Sequence, residues 1–437
     1  MRAAGVIPQA AAGTRSRLAR AWFALLLGTI CFEGLGRKLL PEVPSAVFYF
    51  LKDAVLLSGL VAFGIRSNVA RLAGRYFGAF VLVLFAAFAW TVAQIFNPSQ
   101  EHFLLAILGL RAYWLWWLAP VVVASAVVDT EDRRAALRIL TAIALVVVAY
   151  AAYQFAAPAD SPLNTYALFE GEVVTATAIV GTTGRARVSS TFSYLTGFTD
   201  FLVVVPVLLF ALGLSGPGRR TRAFALTVAS VAAAAIPMSA SRAPLVLAAA
   251  GFGLVVWRTG LVQTRVGRRA FLGATAAALI AFVALPTAVE GVRDRFRGED
   301  TSERIAEALQ LLPPVALSVH EYPLFGDGTG MQQNARLAFG IASRWDTESE
   351  SSRLLAELGP LGYLLVWGTK LGLAIALLRA ARTLKRTGNG PLAGGATALA
   401  LFAFMGNLVF DHIWQSLLFV GVGLVLREAV AAHGAEA

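Results

Sequence analysis

Glu348 and Glu350 stand two residues apart in "RWDTESESSRLL", and Arg353 follows just where an apolar run begins. Carboxylates gathered beside an arginine at the start of such a run suit the removal of a proton from an attacking hydroxyl. Partial burial and a second carboxylate both raise the proton affinity of the first. His320, in "SVHEYPLF", is a further base candidate. The plain alternative is a solvated acidic turn that only favours the following helix N-terminus. A second set is cationic: Arg185 and Arg187 in "GTTGRARVSS" and Arg242 in "SASRAP". Guanidinium forks hold phosphate oxygens bidentately without a metal, although Arg187 and Arg242 also suit structural ion pairs.

Other chemistries lack their residues. The four histidines, His102, His320, His412 and His433, form no HExxH, and no DxD pair or His/Cys cluster accompanies them. A built-in metal site is therefore not expected, and no cofactor is. No GxxxxGK[ST] and no strand-linked GxGxxG is present to cradle a nucleotide. "GDGTG" at Gly326–Gly330 reads either as a tight turn or as a backbone nest for phosphate. Cys31, the single cysteine, lies in an apolar run, so no intramolecular disulfide can form.

The elements that must position these residues are membrane spans. The chain of 437 residues is 57% hydrophobic and 14% charged with mean hydropathy +0.68, which excludes an ordinary soluble domain. Its net charge of +11 then reads as membrane topology rather than nucleic-acid binding. Apolar runs between polar breaks predict about twelve transmembrane helices, at 21–36, 45–65, 76–96, 104–128, 135–157, 194–214, 222–239, 243–258, 269–287, 354–378, 391–409 and 413–428. The last is short, so eleven spans are also compatible. The expectation is an all-α polytopic protein forming a single membrane domain over 1–437.

With the N-terminus on the cytoplasmic side, more than half of the 37 basic residues fall into alternate loops on that side, such as Arg66/Arg71/Arg75, Arg133/Arg134/Arg138 and Arg219/Arg220/Arg222. That bias is the positive-inside rule. The first apolar run reads as a retained anchor, with no cleaved signal peptide. Two long segments, 157–193 and 288–353, then lie outside, and they carry every candidate above except Arg242. The second contains "EDTSERIAEALQLLPPVALSVH", helical in spacing until Pro313–Pro314 break it, which suits a surface helix covering a site or a structural cap.

"HEYPLFGDGTG" followed by "ESESSRLLAELGPLGYLL" resembles the signature of the O-antigen ligase and polymerase family of bacterial inner membranes. "RVSSTFSYLTGFTDFL" and "MSASRAPLVLAAAG" resemble its upstream half, so the resemblance covers roughly 180–375. Ligases of the family carry a histidine, a small polar residue, nine residues and Gly-x-x-Gly. Here Glu348 and Ser349 precede nine residues and Gly359-Pro360-Leu361-Gly362, so glutamate replaces the histidine.

The resemblance implies a lipid-dependent glycosyltransferase of the multi-span GT-C-like type. It also implies an undecaprenyl-diphosphate-linked glycan as donor and a periplasmic active site in the inner membrane. Arg187 and Arg242, with Arg185 and Arg353, would hold the diphosphate; Glu348, or else Glu350 or His320, would be the base. The absent histidine favours polymerisation of surface-polysaccharide repeat units over ligation to lipid A–core. Partners would be the bilayer, the lipid-linked glycans, and the flippase and chain-length regulator of the same pathway. A saccharide flippase is the reading from another class, but it predicts repeated halves with matching broken helices, and no such repeat is visible. A non-catalytic assembly partner is a third. Lys52, Asp53, Arg111, Asp200, Glu33 and Lys370, inside the spans, are expected to pair across helices, and Tyr113–Trp117 ("YWLWW") to form an interfacial belt or lipid groove.

Overall fold

The computed structural model describes residues 9–167, 172–176, 184–216, 218–260, 312–319, 322–342, 344–345, 347 and 349–436, with a few isolated positions between 286 and 293. Fourteen α-helices are described among them. They are α1 (Gln9–Leu39), α2 (Ser45–Phe63), α3 (Ser67–Phe77), α4 (Val81–Ala93), α5 (Phe103–Trp114), α6 (Ala119–Ala126) and α7 (Thr130–Ala156). The second half has α8 (Leu195–Ser215), α9 (Arg219–Ala234), α10 (Arg242–Thr259), α11 (Pro313–Val319), α12 (Glu350–Arg386), α13 (Gly390–Met405) and α14 (His412–Glu436). Short 3-10 turns join α3 to α4 and α5 to α6 into longer rods. Among the described residues one antiparallel hairpin, β1 (Thr165–Ala167) with β2 (Val173–Thr175), sits in the first long segment, with Tyr166 opposite Val174.

The protein is an all-α membrane protein. Nine helices among the described residues are long and apolar enough to cross a bilayer. The expected spans at 243–258 and 391–409 are helices of 18 and 16 residues. The span expected at 269–287 lies outside the described residues. Two boundaries move for physical reasons. The third span begins at Ser67 rather than 76, because the amphipathic α3 continues into α4. The tenth reaches back to Glu350 because Ser349 caps the helix, its hydroxyl and that of Ser352 forming a reciprocal capping box. Pro313–Pro314 open α11 instead of only ending a helix, as prolines fit a first turn whose N–H groups have no partners.

Helix α8 is the central pillar, with 89% of its apolar window buried, whereas the α3–α4 rod has 22% and faces outward. Between spans in lipid, close contact must come from small residues. A Cβ on Gly394 of α13 would lie 2.5 Å from the Val255 backbone of α10, and one on Gly251 of α10 would lie 2.7 Å from the Phe402 ring. Helix ends gather at two opposite poles. At one, Arg20 pairs with Asp132 at 2.8 Å, Arg133 with Glu428 at 2.9 Å, and Arg379 donates to the Tyr76 carbonyl at 3.0 Å. The other pole carries the long segments.

Lys52 with Glu33 and Arg111 with Asp53 pair across helices as expected, whereas Lys370 pairs with Glu350 of its own bent helix. Asp200 is the correction, since a second carboxyl group faces it instead of a cation. The aromatic cluster also turns inward. Tyr113 and Trp116 are buried, donating to Glu357 at 2.7 Å and Asp53 at 3.1 Å, because phenol and indole donors have acceptors there.

Candidate functional site

Residues 187–193 form a strap clamped between α1, α7 and the start of α10. Thr191 donates its hydroxyl to the Cys31 carbonyl at 2.6 Å, Ser190 donates to the Val147 carbonyl at 2.7 Å, and the Leu35 N–H reaches the Thr191 carbonyl at 2.7 Å. Ser190 holds φ 51, a left-handed conformation unusual for a residue with a side chain. Gly34 is required beneath the strap, because a Cβ there would lie 1.9 Å from the Ser193 nitrogen.

The strap presents Arg187 to the turn before α10. Its Nε donates to the Ser239 carbonyl at 3.0 Å and its Nη2 to the Ser241 hydroxyl at 2.7 Å. Ala240 between them is also left-handed, at φ 48, and Arg242 opens α10 directly afterwards. The two arginines are thus brought to one turn. Tyr166 of the hairpin steadies the strap by donating to the Arg187 carbonyl at 2.8 Å. Burial, then the neighbouring Tyr194, push this phenol up to about 12, with Arg187 opposing, so it remains a donor at neutral pH. Arg185 points elsewhere: its Nη1 donates to the Ala156 and Ala157 carbonyls at 2.6 and 3.2 Å, capping the end of α7.

Beside that turn lies a cavity of about 180 Å³, lined by Asp200, Ala243, Pro244, Asn407, Asp411 and Trp414 among others. The carboxyl groups of Asp200 and Asp411 are within hydrogen-bonding reach of each other, and the Trp414 N–H reaches Asp200. Asp200 is buried and its Oδ2 has no hydrogen-bond partner. Asp411 also accepts the Ile413 and Trp414 N–H groups at 3.2 Å each. A carboxyl pair of this kind can hold and pass one proton between its members.

Arg353 lies on the Asp411 side of the site. Its guanidinium lies 5.5 Å from the Phe410 ring, its Nε donates to the Thr347 carbonyl at 3.3 Å, and its charged neighbours are Arg336, Glu357 and Asp411. Burial pulls the Arg336 guanidinium down from its ordinary value, with Glu357 opposing. Glu350 is fully engaged: its Oε2 pairs with Lys370, and its Oε1 accepts Leu408 and Val409 N–H groups at 2.7 and 3.2 Å. Glu348 and His320 lie outside the described residues, as does Asp346.

The Gly-rich stretches explain themselves locally. Gly326, Gly328 and Gly330 all hold positive φ. The N–H groups of Asp327 and Gly328 go to Ala356 and Glu357 carbonyls at 2.8 and 2.9 Å, and that of Thr329 to Gln94 at 3.4 Å. "GDGTG" is therefore a wedge whose amides are already satisfied, and the phosphate-nest alternative loses its donors. Gly359 breaks α12 at φ 67, ψ 178, and a Cβ there would sit 2.1 Å from the Leu324 carbonyl. Gly362 admits the Trp90 ring, 2.5 Å from where its Cβ would be.

Sequence reasoning brought Arg187, Arg242 and Arg353 to this pole but missed Asp411, Asn407 and Glu357 as neighbours of the site. The available signal was an Asp inside "GNLVFDHIW", the short break between the last two spans. Glu357 is wholly buried, accepting from Tyr113 and from the Gln332 N–H, each at 2.7 Å. No protein-family model matches the chain, and no curated protein is significantly similar to it.

Proposed function

We propose that the chain is a bacterial inner-membrane glycosyltransferase that polymerises undecaprenyl-diphosphate-linked saccharide units of a surface polysaccharide on the periplasmic side, with GT-C-like architecture. The observation that carries this reading is one cluster: Arg187 and Arg242 on one turn, the cavity with Asp200 and Asp411 next to it, and Arg353 in the neighbourhood of Asp411. The motif order that resembles O-antigen ligases and polymerases supports it.

In the proposed step an acceptor hydroxyl oxygen attacks the anomeric carbon of the donor. The new glycosidic C–O bond forms as the bond to the diphosphate breaks, inverting the configuration. The hydroxyl proton passes to a carboxylate, and the diphosphate leaves with the electron pair. Arginine forks neutralise the charge that grows on it. Glu348 is the base by motif spacing. Asp411, with Asp200 behind it, is the base candidate that the cavity adds.

Deletion of the protein, with the surface polysaccharide run on a gel, tests the reading. Single capped units are the expected result. Full-length chains retained on undecaprenol would make it a ligase, and absence of external units would make it a flippase.

A further inference from the structure

A second cavity is larger than the one beside Asp200. It measures about 440 Å³ and lies between the end of α1, the start of α2, the middle of α5 and the 3-10 turn at Asn334–Phe339. Its walls include Arg37, Tyr49, Phe50, Leu108, Ala335 and Phe339. The strap separates it from the Arg187–Arg242 turn: Ser193 of the strap accepts from Arg37 at 3.1 Å, while Arg187 reaches the other way.

Three features point to an anionic amphiphile. The walls are apolar apart from Arg37, Ser45 and the Tyr49 hydroxyl, and exposed Val47, Leu51, Leu104 and Ile107 continue that surface along α2 and α5. The guanidinium of Arg111 stacks 4.3 Å from the Tyr49 ring and 5.0 Å from the Phe50 ring, both wall residues. Its Nε is held by Asp53, and the guanidinium also hydrogen-bonds the Tyr49 hydroxyl in the pocket wall. Lys38, one residue beyond Arg37, donates to the neutral Ser189 hydroxyl and Ser190 carbonyl at 2.7 and 3.1 Å, and among the described residues no carboxylate pairs with it. Positive charge at the head of an apolar pocket is complementary to a phosphate on a long single chain.

We infer that this pocket is a second lipid-phosphate site, taking the phosphorylated head and first isoprenoid units of the acceptor's carrier lipid. The inference rests on the polymerase reading, which requires two lipid-linked saccharides bound at once. Placing them on opposite sides of one strap brings the acceptor's sugar toward the donor's anomeric carbon while keeping the two carriers apart.

The test uses the purified full chain in detergent, native mass spectrometry, and undecaprenyl phosphate as probe, with undecaprenol and phosphatidylglycerol as controls. Ala338→Trp fills the pocket from an exposed position in its wall, and Ala46→Trp does the same from the facing wall. The expected result is one bound undecaprenyl phosphate that persists in the Arg187→Ala/Arg242→Ala double variant and weakens by about tenfold or more in either Trp variant. Unchanged binding in both Trp variants overturns the inference, as does equal competition by phosphatidylglycerol or undecaprenol. If the pocket binds as expected while deletion leaves the polysaccharide intact, the functional reading fails and the lipid site stands. If deletion yields single units while the Trp variants bind normally, only the pocket assignment fails.

Discussion

Glu350 and Lys370 lie twenty residues apart on one bent helix and form a buried ion pair across its kink. Lys370 also donates to the Gly406 carbonyl at 2.8 Å, and Glu350 accepts the Leu408 N–H at 2.7 Å. The pair therefore fastens the start of α12 to the loop that carries Asn407 and Asp411 into the cavity. Glu350→Gln leaves an unpaired buried ammonium, a change that destabilises by about 3–5 kcal/mol. Thermal unfolding in detergent is expected to show that loss, and Glu350→Gln/Lys370→Met to recover part of it. Normal stability with lost transfer would instead make Glu350 the base.

Arg187→Ala is expected to abolish transfer with the protein still inserted, and Arg187→Lys to restore it only partly, since an ammonium keeps the charge but loses the fork. Arg185→Ala should lower stability more than transfer, because its bonds go to the end of α7. A ladder of polymer lengths on a gel, beside the amount of protein in membranes, reads both. Full activity of the Arg187→Ala/Arg242→Ala double variant would remove the diphosphate clamp.

The base assignment separates by substitution. Removing a general base slows a reaction by about a hundredfold to ten-thousandfold with substrate binding little changed. Glu348→Gln is expected to show that loss, and Glu348→His to regain part of it, an imidazole near pKa 6.5 being able to accept a proton at neutral pH. If Glu348→Gln polymerises normally while Asp411→Asn does not, the base lies in the cavity rather than in the motif.

Gly359→Ala should unfold the α12 kink, because a side chain meets the Leu324 carbonyl at 2.1 Å in addition to the strain of φ 67. The strain alone amounts to about 1–3 kcal/mol. Gly253→Ala, on α10 with nothing within 4 Å, is the matched control and should be neutral or stabilising. Protease resistance in membranes distinguishes the two.

Cys31 is buried, so single cysteines can be introduced without a labelling background. Gly184→Cys is expected to react with an impermeant thiol reagent in cells with a permeabilised outer membrane, and Thr387→Cys only after the inner membrane is opened. The reverse pattern would place the candidate site in the cytoplasm.

Hydropathy made most of the fold legible because a span has to be apolar over its whole length, whatever it packs against. Boundaries were less visible where polar side chains do local work, as at Ser349, whose hydroxyl starts α12 in the middle of a polar stretch. The arginines at 187 and 242 were visible as charges beside spans. Their meeting was not, since it depends on a left-handed Ala240 and a strap held by side chains from α1 and α7. Asp200 illustrates the remaining limit. A carboxylate inside a span signals a partner, but only the packed structure brings Asp411, more than two hundred residues later, to face it.

The wedge at Gly326–Gly330 has a consequence for biosynthesis. A Cβ on Gly109 of α5 would lie 2.5 Å from Gly330, so that glycine shapes a seat that stays vacant until the ribosome has made a further two hundred or so residues. Tyr113, one helical turn on, likewise waits for Glu357. The first seven helices can insert in order, but the pole that carries the candidate site is completed only when α12 arrives and presses the wedge home. Nascent chains halted before that point should expose this half-built pole to chaperones and proteases, so quality control of the protein is tied to translation of its last third.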